Sequence, residues 1–437
     1  MSPVAALMGL LVVAYFGSML VGGRAIRGYG LPSGTEFLLL GIFIGPKFMG
    51  LLTRSGLASF EPIIVFALTW LSLIVGLHYG VIGDKRVSSR RMLAGLGIAT
   101  LTLGVTSAAA AAFAIAATDV RGSDLAILAL GCGAVSTETT RHAVRWVTER
   151  YGPTGPLSTF VAELSEADDL VPVGALAVLF ALVPQSDAIA LPLPWWALVL
   201  ITLAAGGVMG ATCAALVDVE PRTSQRWGIL LGCGLMAVGT SMRLGLSAVS
   251  AAFMMGLVTA RLASSRAVLF HMVGTTERAV MLPALVLAGA CVTLPDLDGF
   301  AAVAVGAVMV RLLTKLIVAK VVARVVPATA PASLGLGLMP AGVLTMAVGL
   351  ACTLRFPGPV GDSVLALAAI NVVLGELVGP VMLRRTLRLA REIPDATLTP
   401  VPIQPRPRPA DRGRRGSRGS RGSYSGADRT SDSGGAR

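Results

Sequence analysis

Charge is scarce in this chain. Asp, Glu, Lys and Arg make up 14% of its 437 residues, where a soluble domain averages about a quarter. That shortage argues against an ordinary soluble protein. Histidine is rarer still. His78, His142 and His271 lie far apart, and only His142, beside a helix interruption, sits where a titrating group would matter. The five cysteines, Cys132, Cys213, Cys233, Cys291 and Cys352, fall singly inside apolar runs with no C-x-x-C spacing. This excludes a disulfide framework and a zinc site, and leaves them as small apolar filler. No Gly-x-Ser-x-Gly stretch is present, so a serine hydrolase of that type is excluded.

Apolar residues fill the space that charge leaves. They are 54% of the chain, and the mean hydropathy is +0.77. They cluster in thirteen runs, at about 4–23, 35–53, 58–80, 92–117, 123–144, 155–183, 194–217, 227–242, 244–262, 270–294, 299–325, 332–354 and 361–386. A helix of roughly 20 such residues crosses a bilayer. The expected fold is an all-α polytopic membrane protein of about thirteen transmembrane helices. Its narrowest boundary lies between the eighth and ninth runs, where only Arg243 and Gly245 interrupt the apolar pattern.

Basic residues collect in alternate loops: Lys85, Arg86, Arg90 and Arg91; Arg145 and Arg150; Arg384, Arg385 and Arg388. The loops at 184–193 and 293–298 have none. The positive-inside rule then puts the N-terminus outside and the C-terminus in the cytoplasm of a cell-membrane protein. The first run has no basic residue before it, so it reads as a retained span and not a cleaved signal. Loops this short hold no soluble catalytic domain. Residues 391–437 are rich in Arg, Gly, Ser and Pro and read as a disordered basic cytoplasmic tail. Such a tail tethers near anionic lipid more readily than it binds nucleic acid.

The few charges inside the apolar runs are informative, because intramembrane ionisable groups mark ion and proton pathways. Residues 162–180 read AELSEADDLVPVGALAVLF, with Glu163, Glu166, Asp168 and Asp169 opening the sixth run. On a continuous helix Glu163, Glu166 and Asp169 share one face and Asp168 points away from Glu166. Glu163 is placed to pair with Arg311, and Asp168 or Asp169 to take a cation or a proton. Glu138 in the fifth run and Arg311 and Lys315 in the eleventh are the other candidates. Glu376 reads as a helix-end partner of Arg384 or Arg385.

Two runs are interrupted. Residues 131–147, GCGAVSTETTRHAVRWV, place Gly131 and Gly133 before five polar residues, Ser136 to Thr140. Residues 334–346, LGLGLMPAGVLTM, carry Pro340 and Gly342 amid apolar neighbours. Proline removes a helix hydrogen bond, and freed backbone is tolerated at membrane depth only where it lines a cavity or is buried in protein. One broken helix in each half of a chain points to an inverted-repeat transporter with its site where the breaks cross. Runs one to six and eight to thirteen form the repeats, with the seventh as connector. Glu138, Arg311 and Lys315 are placed to compensate the half-helix dipoles.

Taken in order, these stretches resemble the monovalent cation:proton antiporter superfamily, the sodium/proton exchanger family, over residues 5–390. LLLGIFIGPKFMGLL (38–52) resembles its second helix, with Gly41, Gly45 and Pro46 in place. FALTWLSLIVGLHYG (66–80) is similar to the next, with His78 where the family often has an acid. GAVSTETT, ADDL, RLLTK and GLMPAGVL are similar to the first unwound stretch, the ion-binding pair, the Arg/Lys helix and the second crossing. The resemblance implies two inverted repeats with crossing broken helices. It implies a scaffold (1–80 and 227–294), a core (92–183 and 299–386), and a homodimer through the scaffold in the lipid bilayer.

It also implies exchange of Na⁺ or K⁺ for protons, with no cofactor and no enzymatic chemistry. Asp168 and Asp169, the metal-ion ligands, take cation or proton in turn, helped by Thr137, Ser136 and Glu138. Arg311, Lys315 and Glu163 compensate charge, and Gly133, Pro340 and Gly342 break the helices. Electrogenic members carry Asp-Asp and electroneutral ones Asn-Asp with a nearby Glu. Here Asp168-Asp169 follows the first pattern and Glu163 the second, with Ala167 in the Asn position, so stoichiometry and cation stay open. A sodium-coupled organic-anion symporter of related fold and a proton-linked K⁺ efflux protein are the alternatives.

Overall fold

Apolar runs become helices because a backbone in lipid must satisfy its own hydrogen bonds. The structure, a computed structural model, describes residues 34–81, 89–184, 192–325 and 334–393, all within the unit Met1–Val401. In chain order the helices are α1 (Thr35–Ile44), α2 (Arg54–Ser59), α3 (Glu61–Val81), α4 (Ser89–Ala117), α5 (Gly122–Ala134), α6 (Arg141–Tyr151), α7 (Pro156–Ala167), α8 (Leu170–Leu182), α9 (Trp195–Val219), α10 (Thr223–Arg243), α11 (Ala248–Leu262), α12 (Arg266–Cys291), α13 (Phe300–Val325), α14 (Leu334–Gly337), α15 (Val343–Arg355) and α16 (Pro359–Leu389). No strand occurs among the described residues. The expected first span, 4–23, lies outside them.

Five of these helices are long and apolar enough to cross a membrane unbroken: Glu61–Val81, Arg91–Ala117, Trp195–Val219, Phe300–Val322 and Pro359–Leu389. The run at 35–53 differs from expectation. Its helix, α1, stops at Ile44, with Gly45 extended beyond it. Pro46 has no N–H with which to continue the helix. The narrow boundary after Arg243 is a true break. Gly245 adopts φ 67°, and the Ser247 hydroxyl accepts the Ser250 N–H at 3.2 Å to start α11.

Small residues set the packing, since lipid supplies no hydrophobic drive between helices. α3 lies against α11 at backbone contact distance. A β-carbon at Gly76 would overlap the Phe253 carbonyl, and one at Gly256 would overlap that of Leu73. α9 also packs on α11, and α1 on α12. A second set pairs α4 with α13, α5 with α16 and α15 with α16. α4–α5–α6 and α13–α14–α15 repeat one order, a long helix followed by a broken one.

The fold extends past residue 390, where the tail was expected to begin. Arg391, Glu392 and Ile393 belong to the folded part, and Glu392 and Ile393 are buried. Composition misplaced this boundary because a single acid, not an apolar run, secures these residues. The rest of the expected tail, 394–437, lies outside the described residues.

Candidate ion-binding site at the crossing of two unwound segments

Both predicted breaks are present. α5 ends at Ala134 and the chain is not helical again until Arg141; α14 ends at Gly337 and α15 starts at Val343. The two unwound segments bond to each other. Thr140 N–H donates to Pro340 O at 3.0 Å, and Thr139 Oγ1 donates to Leu338 O at 3.3 Å. The small residues allow the approach. A β-carbon at Gly342 would overlap Thr140 across the crossing, and one at Gly133 would overlap Ser107 Oγ of the neighbouring α4.

Breaking a helix leaves carbonyls at one cut end and N–H groups at the other. α13 supplies the cations for the carbonyls. Arg311 Nε donates to Ser136 O at 2.9 Å, and its NH2 to Met339 O at 3.0 Å and Glu138 O at 3.4 Å. Lys315 Nζ donates to Glu138 O at 2.9 Å, Leu338 O at 2.8 Å and Thr139 Oγ1 at 3.1 Å. Four residues apart, the two lie on one face of α13, and both are buried. The N–H end of α15 receives an acid: Glu138 Oε2 accepts Thr345 N–H at 2.5 Å and Gly342 N–H at 3.2 Å. Cations thus stand at the negative ends of the half-helices and a carboxylate at a positive end. The Glu138 Oε2 is thus occupied by the N–H end of α15.

Asp168 and Asp169 lie at the junction of α7 and α8, and both keep helical backbone angles, φ −75°, ψ −16° and φ −59°, ψ −27°. α7 closes at Ala167 and α8 opens at Leu170. Pro172 has no N–H for the Asp168 carbonyl, which accepts instead from Val171 at 3.2 Å. The backbone keeps its helical course through the acids, and both carboxylates are buried, at 2% and 5% exposure. Asp168 Oδ1 has no hydrogen-bond partner among the described residues. Asp169 lines a narrow cleft of about 30 Å³ together with Glu138, Thr140, Arg141, His142 and Glu277. Across it, Glu277 on α12 takes Arg141 at 2.9 Å and His142 at 3.3 Å on the same Oε1.

Glu163 does not pair with Arg311. Arg311 spends its donors on the crossing and on Asn371 Oδ1 at 3.4 Å, while Glu163 meets Arg91 of α4 at 3.3 Å. The Ser136 and Thr137 hydroxyls donate to their own helix, to Cys132 O at 2.7 Å and Ala134 O at 2.8 Å; the Ser136 oxygen also accepts the Asn371 amide at 3.4 Å, and a hydroxyl that donates keeps lone-pair capacity to face a ligand. Glu376 is buried in α16 at 2% exposure.

Sequence reading missed four contributors. Thr139 was hidden within a polar run. Asn371 donates to Val135 O at 3.1 Å, and it was visible as one amide in a long apolar helix. Arg141 and Glu277 lie 136 residues apart, so no local pattern joined them.

No protein-family model and no curated protein matches the chain. Solved structures do match its fold. A structure of the sodium proton antiporter MjNhaP1 from Methanocaldococcus jannaschii at pH 8 superposes with a TM-score of 0.64 at 14% identity, covering 88% of this chain and 98% of that one. A structure of the same antiporter from an electron-microscopy map gives 0.61 at 16% identity, over 89% and 98%. The chain therefore has the sodium/proton antiporter fold.

Proposed function

We propose that this chain is a secondary active antiporter exchanging a monovalent cation, Na⁺ or K⁺, for protons across the cell membrane by alternating access. One observation carries the reading. Two adjacent carboxylates are buried together at the junction of α7 and α8, while the buried cations near them are committed to backbone carbonyls. Counted in their ionised forms, Glu138, Asp168 and Asp169 against Arg311 and Lys315 leave one unit of negative charge. A buried charge left over is costly, and one monovalent cation, or a proton, removes the cost. Asp168 and Asp169 are the ligands in this reading. Carbonyl and hydroxyl oxygens of Ser136, Thr137 and Thr139 supply the neutral donors that suit a hard cation.

The cleft supports alternating access. One wall comes from Leu71 and Val75 of α3 with Glu277 and Met281 of α12, the other from Asp169, Val343 and the 138–142 stretch. Rocking the core (92–183 and 299–386) against the scaffold (1–80 and 227–294) closes this cleft and opens the far side. The protein works as a scaffold-mediated homodimer in the plasma membrane, N-terminus outside and C-terminus cytoplasmic. An organic anion is disfavoured, because Asp169, a buried acid of the cleft, would repel it.

The test is cation-induced proton movement in proteoliposomes, with Na⁺, K⁺ and Li⁺ supplied separately, for wild type, Asp168→Asn and Asp169→Asn. A pH gradient raised by one cation and lost in either variant is the expected result. No response to any of the three, or full activity in both variants, overturns the reading.

A further inference from the structure

α7 opens with Pro156, and its cap position is Gly155, which offers no side chain to the first N–H groups. Those groups find their acceptor at the other end of the chain. Glu392 Oε1 accepts Leu157 N–H at 2.6 Å and Oε2 accepts Ser158 N–H at 2.7 Å. The Glu392 carbonyl accepts Thr154 N–H at 3.1 Å. A carboxylate on two N-terminal N–H groups combines charge-assisted hydrogen bonds with the favourable end of the helix dipole. The surroundings are shaped for it. Glu392 is 6% exposed, and a β-carbon at Gly155 would overlap its carboxyl group. Arg391 is the only non-glycine residue with positive φ among those described, at 58°. The chain accepts that unfavourable conformation to turn Glu392 back onto α7.

Glu392 lies in the turn that closes α16, where its N–H donates to Leu387 O at 3.0 Å, and α16 also carries Asn371, which holds Val135 O and Arg311 at the crossing. One rod therefore grips the crossing at one point and the start of α7 at another. α7 then runs 12 residues to Asp168, about 18 Å at helical rise. We propose that Glu392 is a positioning residue for the cation site. Acting through α7, it fixes where Asp168 and Asp169 stand relative to the crossing, and it touches no ion itself. This rests on the cation-exchange reading above.

The experiment uses full-length protein in proteoliposomes, comparing wild type with Glu392→Gln, Glu392→Asp, Gly155→Ala and the double variant Gly155→Ala/Glu392→Gln. Glu392→Gln is expected to raise the KM for the transported cation about tenfold, the scale of a small misplacement of reacting groups. The maximal rate should change less, and the pH profile should shift. Glu392→Asp should recover part of the loss. Gly155→Ala should raise KM as well, and the double variant should be no worse than Glu392→Gln, since both disrupt one contact. Amide exchange at Leu157 and Ser158 should quicken in Glu392→Gln. Should that variant not accumulate, Gly155→Ala and Glu392→Asp probe the same contact, and wild-type cation KM in both overturns the inference. A folded Glu392→Gln protein with wild-type KM and pH profile, or strictly additive effects in the double variant, overturns the inference alone. A wild type that exchanges no cation overturns the cation-exchange reading and this inference with it.

Discussion

Glu138→Gln tests the charge pattern of the crossing most directly. The substitution keeps side-chain volume and one acceptor oxygen but removes the charge that meets Gly342 and Thr345 N–H. A hydrogen bond to an ionised acceptor contributes about 1.5–3 kcal/mol and one to a neutral acceptor about 0.5–1.5, so the 2.5 Å bond to Thr345 loses about 1–1.5 kcal/mol. The longer bond to Gly342 contributes less. Loss of the favourable dipole term at the start of α15 adds up to ~2 kcal/mol in a buried setting. Relief of the carboxylate's own desolvation offsets part of this. The net expectation is a loss of about 2–3 kcal/mol, read as a lower unfolding temperature in detergent by tryptophan fluorescence. Cation KM should rise together with that loss, because the crossing loses the negative charge that balances Arg311 and Lys315. Glu138→Asp keeps the charge but shortens the reach, and should fall between the two. Equal melting temperatures and equal cation KM for wild type and Glu138→Gln would refute the compensation argument.

Three further outcomes follow from the same geometry. Arg311→Lys replaces a fork that reaches three carbonyls and Asn371 with a point donor of smaller reach; transport should fall by more than about tenfold in the proteoliposome assay, with little change in protein level. Pro172→Ala returns an N–H to the Asp168 carbonyl and should regularise the tight turn between α7 and α8, lowering exchange while leaving the melting temperature equal or higher. Glu277→Gln leaves Arg141 without its counter-charge at the cleft; KM for the cation should rise, and the increase should shrink as ionic strength is raised.

Much of this protein was determined by its sequence. Apolar run length alone settled the all-helical membrane class, because lipid admits no other unbroken backbone here. Glycine, proline and hydroxyl residues at 131–140 and 335–342 announced the two breaks for the same reason. The cost of burying charge singled out Glu138, Asp168, Asp169, Arg311 and Lys315. Tertiary structure alone decided partners. Arg311 could serve Glu163 or the crossing carbonyls, and nothing local distinguished the two until the fold brought four acceptors around its guanidinium. Glu163 then fell to Arg91. Glu392, inside a stretch whose composition reads as disordered, became part of the fold only because α7 starts with N–H groups that its own cap cannot satisfy. Hydropathy and backbone satisfaction act along the chain and are readable there. The choice of a charge's partner depends on which ends meet in space.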